Sequence, residues 1–200
     1  MRKISIALAI LIIITSSLAG CGQTTNFLNG GTAEKKKDTV RSEEVYIPIE
    51  KIRTLNPITT KDEDAYYVSK LIYEGLFGFD QNLTLTSVLA NSYSYAPDKT
   101  SVSVDVKPGI YWQDGEELTA EDVKFTMDVI ASASYTNSTL YAANISNVKY
   151  TKVDRSEPYR ITIYFNNPLN ISLSNLTFPI IPKHRFKNIE EAKRTDSVFI

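Results

Sequence analysis

Residues 112–123, Trp-Gln-Asp-Gly-Glu-Glu-Leu-Thr-Ala-Glu-Asp-Val, constrain this chain more than any other stretch, because they join a large aromatic, a tight turn and a capped helix. Upstream, Val102, Val104 and Val106 alternate with Ser101, Ser103 and Asp105, the period-2 pattern of a strand with one face on a core. Asp114-Gly115 supplies the turn, since glycine takes a positive φ at no steric cost. Thr119 is placed to cap a helix, and Asp122 three positions on completes an acidic capping box near the positive end of the helix dipole. Val123, Met127 and Ile130 then follow at i, i+4 and i+7, which gives the helix one apolar face. Trp112 beside the turn reads as the plug of a local core.

At the other end of the chain, Arg2-Lys3 and the apolar run from Ile4 to Ile14 form a charged region and a hydrophobic region too short to span a bilayer as a mature helix. Residues 1–20 therefore read as a secretion signal. Its last residues and the next, Leu18-Ala19-Gly20-Cys21, resemble the lipobox at which bacterial lipoproteins are cut and acylated on the cysteine thiol. Cys21 is the single cysteine, so no intramolecular disulfide is possible, and acylation, palmitate included, is its expected fate. Each methylene buried in the bilayer contributes about 0.8 kcal/mol to anchoring. Residues 21–43 are rich in Gly, Thr, Asn and Lys, carry the run Lys35-Lys36-Lys37 and show no apolar period. A segment of that kind cannot recover the entropy of ordering and reads as a flexible tether.

Residues 44–200 read as the folded part. A strand is expected at Glu44 to Ile49 and a turn at Asn56-Pro57. A helix follows, with Asp62 as its cap, Ala65, Val68 and Ile72 as its apolar stripe and Gly75 in the left-handed position past its end. Short strands at Leu76 to Phe79 and Leu83 to Leu85 flank the turn Asp80-Gln-Asn82, and Leu89 to Tyr95 lead through Pro97-Asp98 into the valine strand. After the central helix, Ser132 to Asn144 lack periodicity and read as loop with at most a short helix. Asn147 to Val153 and Tyr159 to Phe165 are expected to pair as an antiparallel hairpin. Leu169 to Leu176 and Phe178 to Ile181 have the apolar weight to pack on that sheet, and Asn188 to Arg194 look like a helix just beginning. The fold class is α+β.

Much chemistry is excluded by what the chain lacks. A formal net charge of −1 without a basic stripe does not ask for nucleic acid. A serine nucleophile needs a histidine base, and His184 is the only histidine, with no G-x-S-x-G present. Zinc needs three or four nitrogen or sulfur ligands, which one His and a lipid-bound Cys do not provide. Asp62-Glu63-Asp64 are explained by the dipole of the helix they open, and Glu116-Glu117 with Glu121-Asp122 likewise read as a solvated helix entry. The expectation is a protein that is not an enzyme and holds no metal or cofactor.

The string W-x-D-G-x-x-x-T-A-x-D-V, from Trp112 to Val123, is similar to the signature of the oligopeptide- and dipeptide-type extracellular solute-binding proteins, the lipoprotein receptors of bacterial ABC importers. Leu55-Asn56-Pro57, Tyr73-Glu74-Gly75-Leu76-Phe77 and Ile181-Pro182-Lys183-His184 match further family segments in the family's order. The resemblance implies the N-terminal part of a two-lobed periplasmic-binding-protein-like fold, with about residues 75–168 as a small mixed sheet-and-helix subdomain, because family members run well beyond this length. It implies a lipid-anchored binding component of an importer for peptides, here truncated, held at the cell membrane and facing the extracellular side or the periplasm. Its partners would be a peptide or other small solute, the permease subunits, and the membrane through the anchor.

In peptide-binding members the loop after the L-[DN]-P motif lines the ligand cleft and offers main-chain hydrogen bonds to an extended peptide. That loop maps to Ile58 to Asp64, and Lys61, Asp62 and Glu63 are the ligand-binding positions it implies. A tyrosine after the central helix also reaches ligand in some members; Tyr135 and Tyr141 are the candidates, and spacing does not choose between them. The anchors for peptide termini belong to the lobe that this sequence does not include, so ligand identity is not implied and weak binding by this chain alone is expected. The alternative reading is a non-transporting surface interaction module, or an inactive remnant of such a receptor.

Overall fold

The computed structural model describes residues 46, 48–49, 52–136 and 138–194. The expected signal peptide, the tether and Cys21 lie outside the described residues. Ile47–Ile200 form one compact unit. No helix among the described residues is long and apolar enough to cross a membrane.

A ten-residue helix, α1 (Glu63–Ile72), opens the unit, and it begins where Asp62 accepts a hydrogen bond from the Ala65 amide at 3.0 Å. Strands β1 (Phe77–Phe79) and β2 (Leu85–Ser87) then make a small antiparallel hairpin. Its turn is held by Asp80, whose carboxylate accepts the amides of Asn82 and Thr84, both at 2.8 Å. Leu83 adopts a φ of +60° in that turn, so the second strand starts at Leu85 and not at Leu83, because a left-handed residue cannot continue a ladder.

The main sheet has four antiparallel strands in the order β3-β4-β6-β5, with β3 at Ala90–Tyr95, β4 at Ser101–Val106, β5 at Val148–Val153 and β6 at Arg160–Phe165. The valine alternation sets its faces. Val104 lies opposite Ile161 and Val102 opposite Ile163, and these four buried side chains form the inner face. The outer face pairs Ser103 with Thr162 at 3.1 Å and Asp105 with Arg160 at 2.7 Å. Helix α2 (Ala120–Ser134) covers the inner face with Val123, Met127 and Ile130. The expected hairpin of β5 and β6 is present, and so is the capping box: Asp122 accepts the Thr119 amide at 2.9 Å while Thr119 Oγ1 accepts the Glu121 amide at 3.3 Å. Two short helices, α3 (Ala142–Ile145) and α4 (Ile189–Ala192), with 3-10 turns between them, complete the unit. Phe178, Ile180 and Ile181 are fully buried in the same core.

Four local expectations need correction. Tyr46, Pro48 and Ile49 lie outside any strand, and the remaining residues of that expected strand are outside the described set; Pro48 has no N–H to give a ladder. Gly75 does not hold a left-handed cap, because α1 ends on an extended Tyr73 (φ −120°). The need for glycine at 75 is steric: a Cβ would stand 2.9 Å from the Phe178 carbonyl oxygen and 3.0 Å from that of Phe77. Helix α2 continues through Ser134, three residues into the stretch expected as loop, with Ser134 Oγ donating to the Ile130 carbonyl at 2.7 Å. Trp112 packs against the core but is only partly buried, since the turn it flanks lies at the surface.

The motif segments are tied to each other. Asp122 Oδ1 accepts the Lys183 amide at 2.8 Å, Lys183 Nζ pairs with Glu121 at 2.7 Å, and His184 Nε2 lies 2.8 Å from Asp114 Oδ2. The lone histidine therefore holds the segment 181–184 against the Asp114-Gly115 turn, where glycine has the expected positive φ of 89°.

Candidate functional site

The loop after Leu55-Asn56-Pro57 is built around Asn56, which is fully buried. Its Oδ1 accepts the amides of Ile58 at 3.0 Å and Thr59 at 3.3 Å, an Asx turn that folds the loop back on itself. Its Nδ2 donates to the carbonyls of Ala192 at 2.8 Å and Arg194 at 3.1 Å. All the hydrogen-bonding capacity of one amide is thus spent fixing a turn and joining it to the far end of the described chain. Thr60 Oγ1 next accepts the Asp62 amide at 3.2 Å, and Asp62 caps α1. The consequence is a preorganised loop edge with Lys61 and Glu63 exposed and Asp62 half-buried.

Asp62 and Glu63 border one hollow of about 670 Å³ together with Asp64, Pro48 and Ile49. Lys61 stands beside it in sequence. Tyr135 is not there: it is 92 % exposed at the end of α2 and borders a different hollow of about 600 Å³, shared with Tyr150 and the Lys124–Asp128 ion pair. Tyr141 is in neither. It is 8 % exposed, its ring meets that of Phe178 edge-on at 6.4 Å, and its hydroxyl is buried without a partner among the described residues. Burial pushes the Tyr141 phenol well above its ordinary range, and the nearby Tyr66 of α1 adds to the effect. The structure thus groups Asp62 with Glu63, sets Tyr135 apart, and places Tyr141 in the core within electrostatic reach of α1.

Two residues of this region were not singled out from sequence. Thr59 is buried in the loop, its hydroxyl unpartnered among the described residues. Tyr66 is half-buried on α1, edge-on to Tyr67 at 5.5 Å and beneath Lys70 Nζ at 5.3 Å. Thr59 lies inside the mapped loop, so its position was a usable signal; Tyr66 had none, because its neighbour Tyr141 is distant in sequence.

Residues from all four motif segments converge on a third cleft, of about 450 Å³, bordered by Leu55, Tyr73, Trp112 and Pro182. Two of those segments, at Trp112 and at Pro182, lie within the region that a family comparison matches. The sequence model for bacterial extracellular solute-binding proteins, family 5 (middle region) matches residues 84–199. The chain belongs to that family.

Among relatives, the chain is 30 % identical over 126 residues to the glutathione-binding protein GsiB of Pectobacterium atrosepticum, a match that covers 63 % of this chain and 24 % of the relative. Among solved structures it resembles NikZ from Campylobacter jejuni in complex with Ni(L-His), with a TM-score of 0.58 and 25 % identity over 70 % of this chain and 27 % of that one. It also resembles the ABC transporter substrate binding protein CtaP from Listeria monocytogenes, with a TM-score of 0.58 and 25 % identity over 73 % of this chain and 29 % of that one. The α+β class and the two-lobed scaffold family expected from the sequence are therefore the ones observed. The chain spans about a quarter of the length of the relatives it matches.

Proposed function

We propose that this protein is a lipid-anchored solute-binding component of an ABC importer that takes peptides, with the loop at Lys61, Asp62 and Glu63 as one side of the ligand cleft. The family match over residues 84–199 carries the reading, and the GsiB relative, named for binding glutathione, favours peptides over other solutes. The rigid loop edge built by Asn56 supports strand-addition recognition, since a fixed main chain loses little entropy on binding an extended ligand. Of the two tyrosines, Tyr141 is the better candidate, because its unpartnered hydroxyl lies near α1 whereas Tyr135 borders a separate hollow. Acylation of Cys21 would hold the protein at the membrane, and residues 21–43 would tether the folded part to it. The role is binding and delivery to permease subunits, not catalysis.

Amide resonances of the isotope-labelled chain, titrated with glutathione and with mixed di- to pentapeptides, test the loop. Shifts confined to residues 58–64 and to the Tyr66 and Tyr141 region support the assignment, and shifts only elsewhere refute it. Radiolabelled palmitate incorporation that disappears in Cys21→Ala tests the anchor separately.

A further inference from the structure

Strand β5 ends the sheet order β3-β4-β6-β5, so its second edge meets no strand among the described residues. The hydrogen bonds of β6 show which groups that edge carries. The Phe165 amide donates to the Thr100 carbonyl at 3.0 Å and the Val106 amide to the Tyr159 carbonyl at 2.7 Å, so the odd-numbered residues of β6 turn their main chain to β4. Arg160, Thr162 and Tyr164 therefore turn theirs to β5, where Lys152 lies opposite Thr162 and Tyr150 opposite Tyr164. Main-chain groups alternate in direction along a strand, which leaves the N–H and C=O of Thr151 and Val153 directed at the open edge.

The hollow of about 600 Å³ is a groove beside that edge, with Val148 to Thr151 of β5 as one wall. One stripe of α2 forms the other: Lys124, Met127, Asp128 and Ala131 stand at i, i+3, i+4 and i+7, and Ser134 continues it. Lys124 to Ser134 covers about 15 Å of helix, the length of about five extended residues. A sheet edge with a helix alongside is the geometry in which an added strand bonds to the edge while its side chains meet the helix. Charge narrows the occupant. Lys124 is paired with Asp128 at 2.6 Å, whereas Lys149, exposed on β5 and bordering the groove, has no ion-pair partner among the described residues. The strand carries Lys149 and Lys152 and no acid, a pattern that discourages pairing with the same edge of a second copy. We propose that the groove takes an extended acidic segment of a partner protein, added to the sheet as a strand on β5 with a carboxylate beside Lys149.

The capped peptide acetyl-Thr-Val-Glu-Val-Thr-amide is the probe, added to the full isotope-labelled chain while amide hydrogen exchange is followed residue by residue. Exchange at Thr151 and Val153 should slow by about tenfold at about ten times the half-saturating concentration, while Tyr150 and Lys152, already turned to β6, keep their rates. The same peptide N-methylated at Glu and at the valine after it, which blocks either pairing register, should protect neither amide. Lys149→Glu should weaken the probe by about threefold, the modest share of one exposed ion pair, and should favour the peptide with Lys in place of Glu. The amides of residues 58–64 should not respond, which separates this groove from the peptide loop. No saturable protection of Thr151 and Val153, or equal protection by the N-methylated peptide, overturns the proposal. Protection of those two amides that grows with protein concentration alone also overturns it, because a second copy of the chain would then be the occupant.

Discussion

Asp122 and Lys183 are 61 positions apart in sequence, and the Asp122 Oδ1 accepts the Lys183 backbone N–H at 2.8 Å. The other carboxylate oxygen accepts the Thr119 amide at 2.9 Å, so one side chain both caps α2 and fastens the segment 181–184 to it. Asp122 is 4 % exposed, which removes water as a substitute acceptor. Neighbouring Thr126 repeats the device, donating to the Asp122 carbonyl at 2.8 Å and accepting the Ile181 amide at 3.0 Å. Two adjacent turns of one helix thereby hold a chain that has no regular partner of its own.

Replacing Asp122 by Ala should destabilise the fold by about 2 to 4 kcal/mol, because it removes a helix cap and leaves a buried amide without an acceptor. Asp122→Asn keeps one acceptor of two and should cost about half as much. Urea unfolding followed by circular dichroism reads both, and a loss under about 1 kcal/mol for the alanine variant would mean that the joint is dispensable.

Asn56 is a second joint. Its amide satisfies two loop amides and two carbonyls near the end of the described chain. Asn56→Ala should cost about 2 to 4 kcal/mol and speed hydrogen exchange at Ile58 and Thr59 well before global unfolding. Exchange that stays slow at those two amides would show that the loop holds its shape without the side chain.

Gly75→Ala should destabilise by about 1 to 3 kcal/mol, because the methyl meets three backbone atoms of Phe77, Thr177 and Phe178 that no side-chain rotation can clear. Gly109 and Gly115 have open space around them but φ values of +72° and +89°. Alanine there should cost about 1 kcal/mol through backbone strain alone. A thermal melt of the three variants that ranks Gly75 last would contradict the steric account.

The contrast between these sites explains what could be read from the sequence. Capping, strand alternation and the β5–β6 hairpin are local, so Thr119 with Asp122, the three valines of β4 and the Ile161–Ile163 pattern announce themselves within a few residues. The requirement at Gly75 comes from the approach of Phe178, a segment remote in sequence, and α1 gives no hint of it. Asn56 likewise reads as half of a turn, while its donations to Ala192 and Arg194 belong to tertiary structure. The two tyrosines after α2 were indistinguishable because nothing periodic surrounds them; burial separates them, Tyr141 at 8 % exposure and Tyr135 at 92 %. The motif spacing marked Trp112 as structural but not its unpartnered nitrogen, which only packing creates.

Acid should loosen the outer face of the sheet. Hydrogen bonds from the Arg160 guanidinium hold the Asp105 carboxyl below its ordinary value, with Ser92 assisting. A depressed carboxylate contributes stability that is present above its unfolded pKa and is lost as pH falls through the folded one. Loss should therefore appear below about pH 4, and it should be small, because Arg160 is 44 % exposed and solvent screens the pair. Asp105→Asn should flatten the decline between about pH 4 and 2, measured by urea midpoints across that range. An unchanged slope would show that other carboxylates dominate.

The alkaline limb should be steeper, because its groups are buried. Tyr73 is 4 % exposed and its phenol is pushed up to about 12 from an ordinary 10.0, chiefly by burial, with Arg185 acting the other way. Burial moves Tyr141 in the same direction. A phenol whose folded pKa is raised keeps its proton in the fold while the unfolded chain gives it up. Its contribution is therefore complete below about pH 10 and is lost as pH climbs through about 12. Each tenfold difference in proton affinity between the folded and unfolded chain is worth about 1.4 kcal/mol, so Tyr73 alone should account for about 2 to 3 kcal/mol of that decline. Tyr73→Phe should remove its share of the pH dependence, and Tyr141→Phe should remove a further share, while neither alters the midpoint on the acid side. Urea unfolding at half-unit steps of pH, with tyrosinate absorbance recorded in parallel, measures both the slope and the ionisation. If Tyr73→Phe leaves the alkaline slope intact, the buried phenols are not what limits stability there, and the decline belongs to charge repulsion spread over the surface.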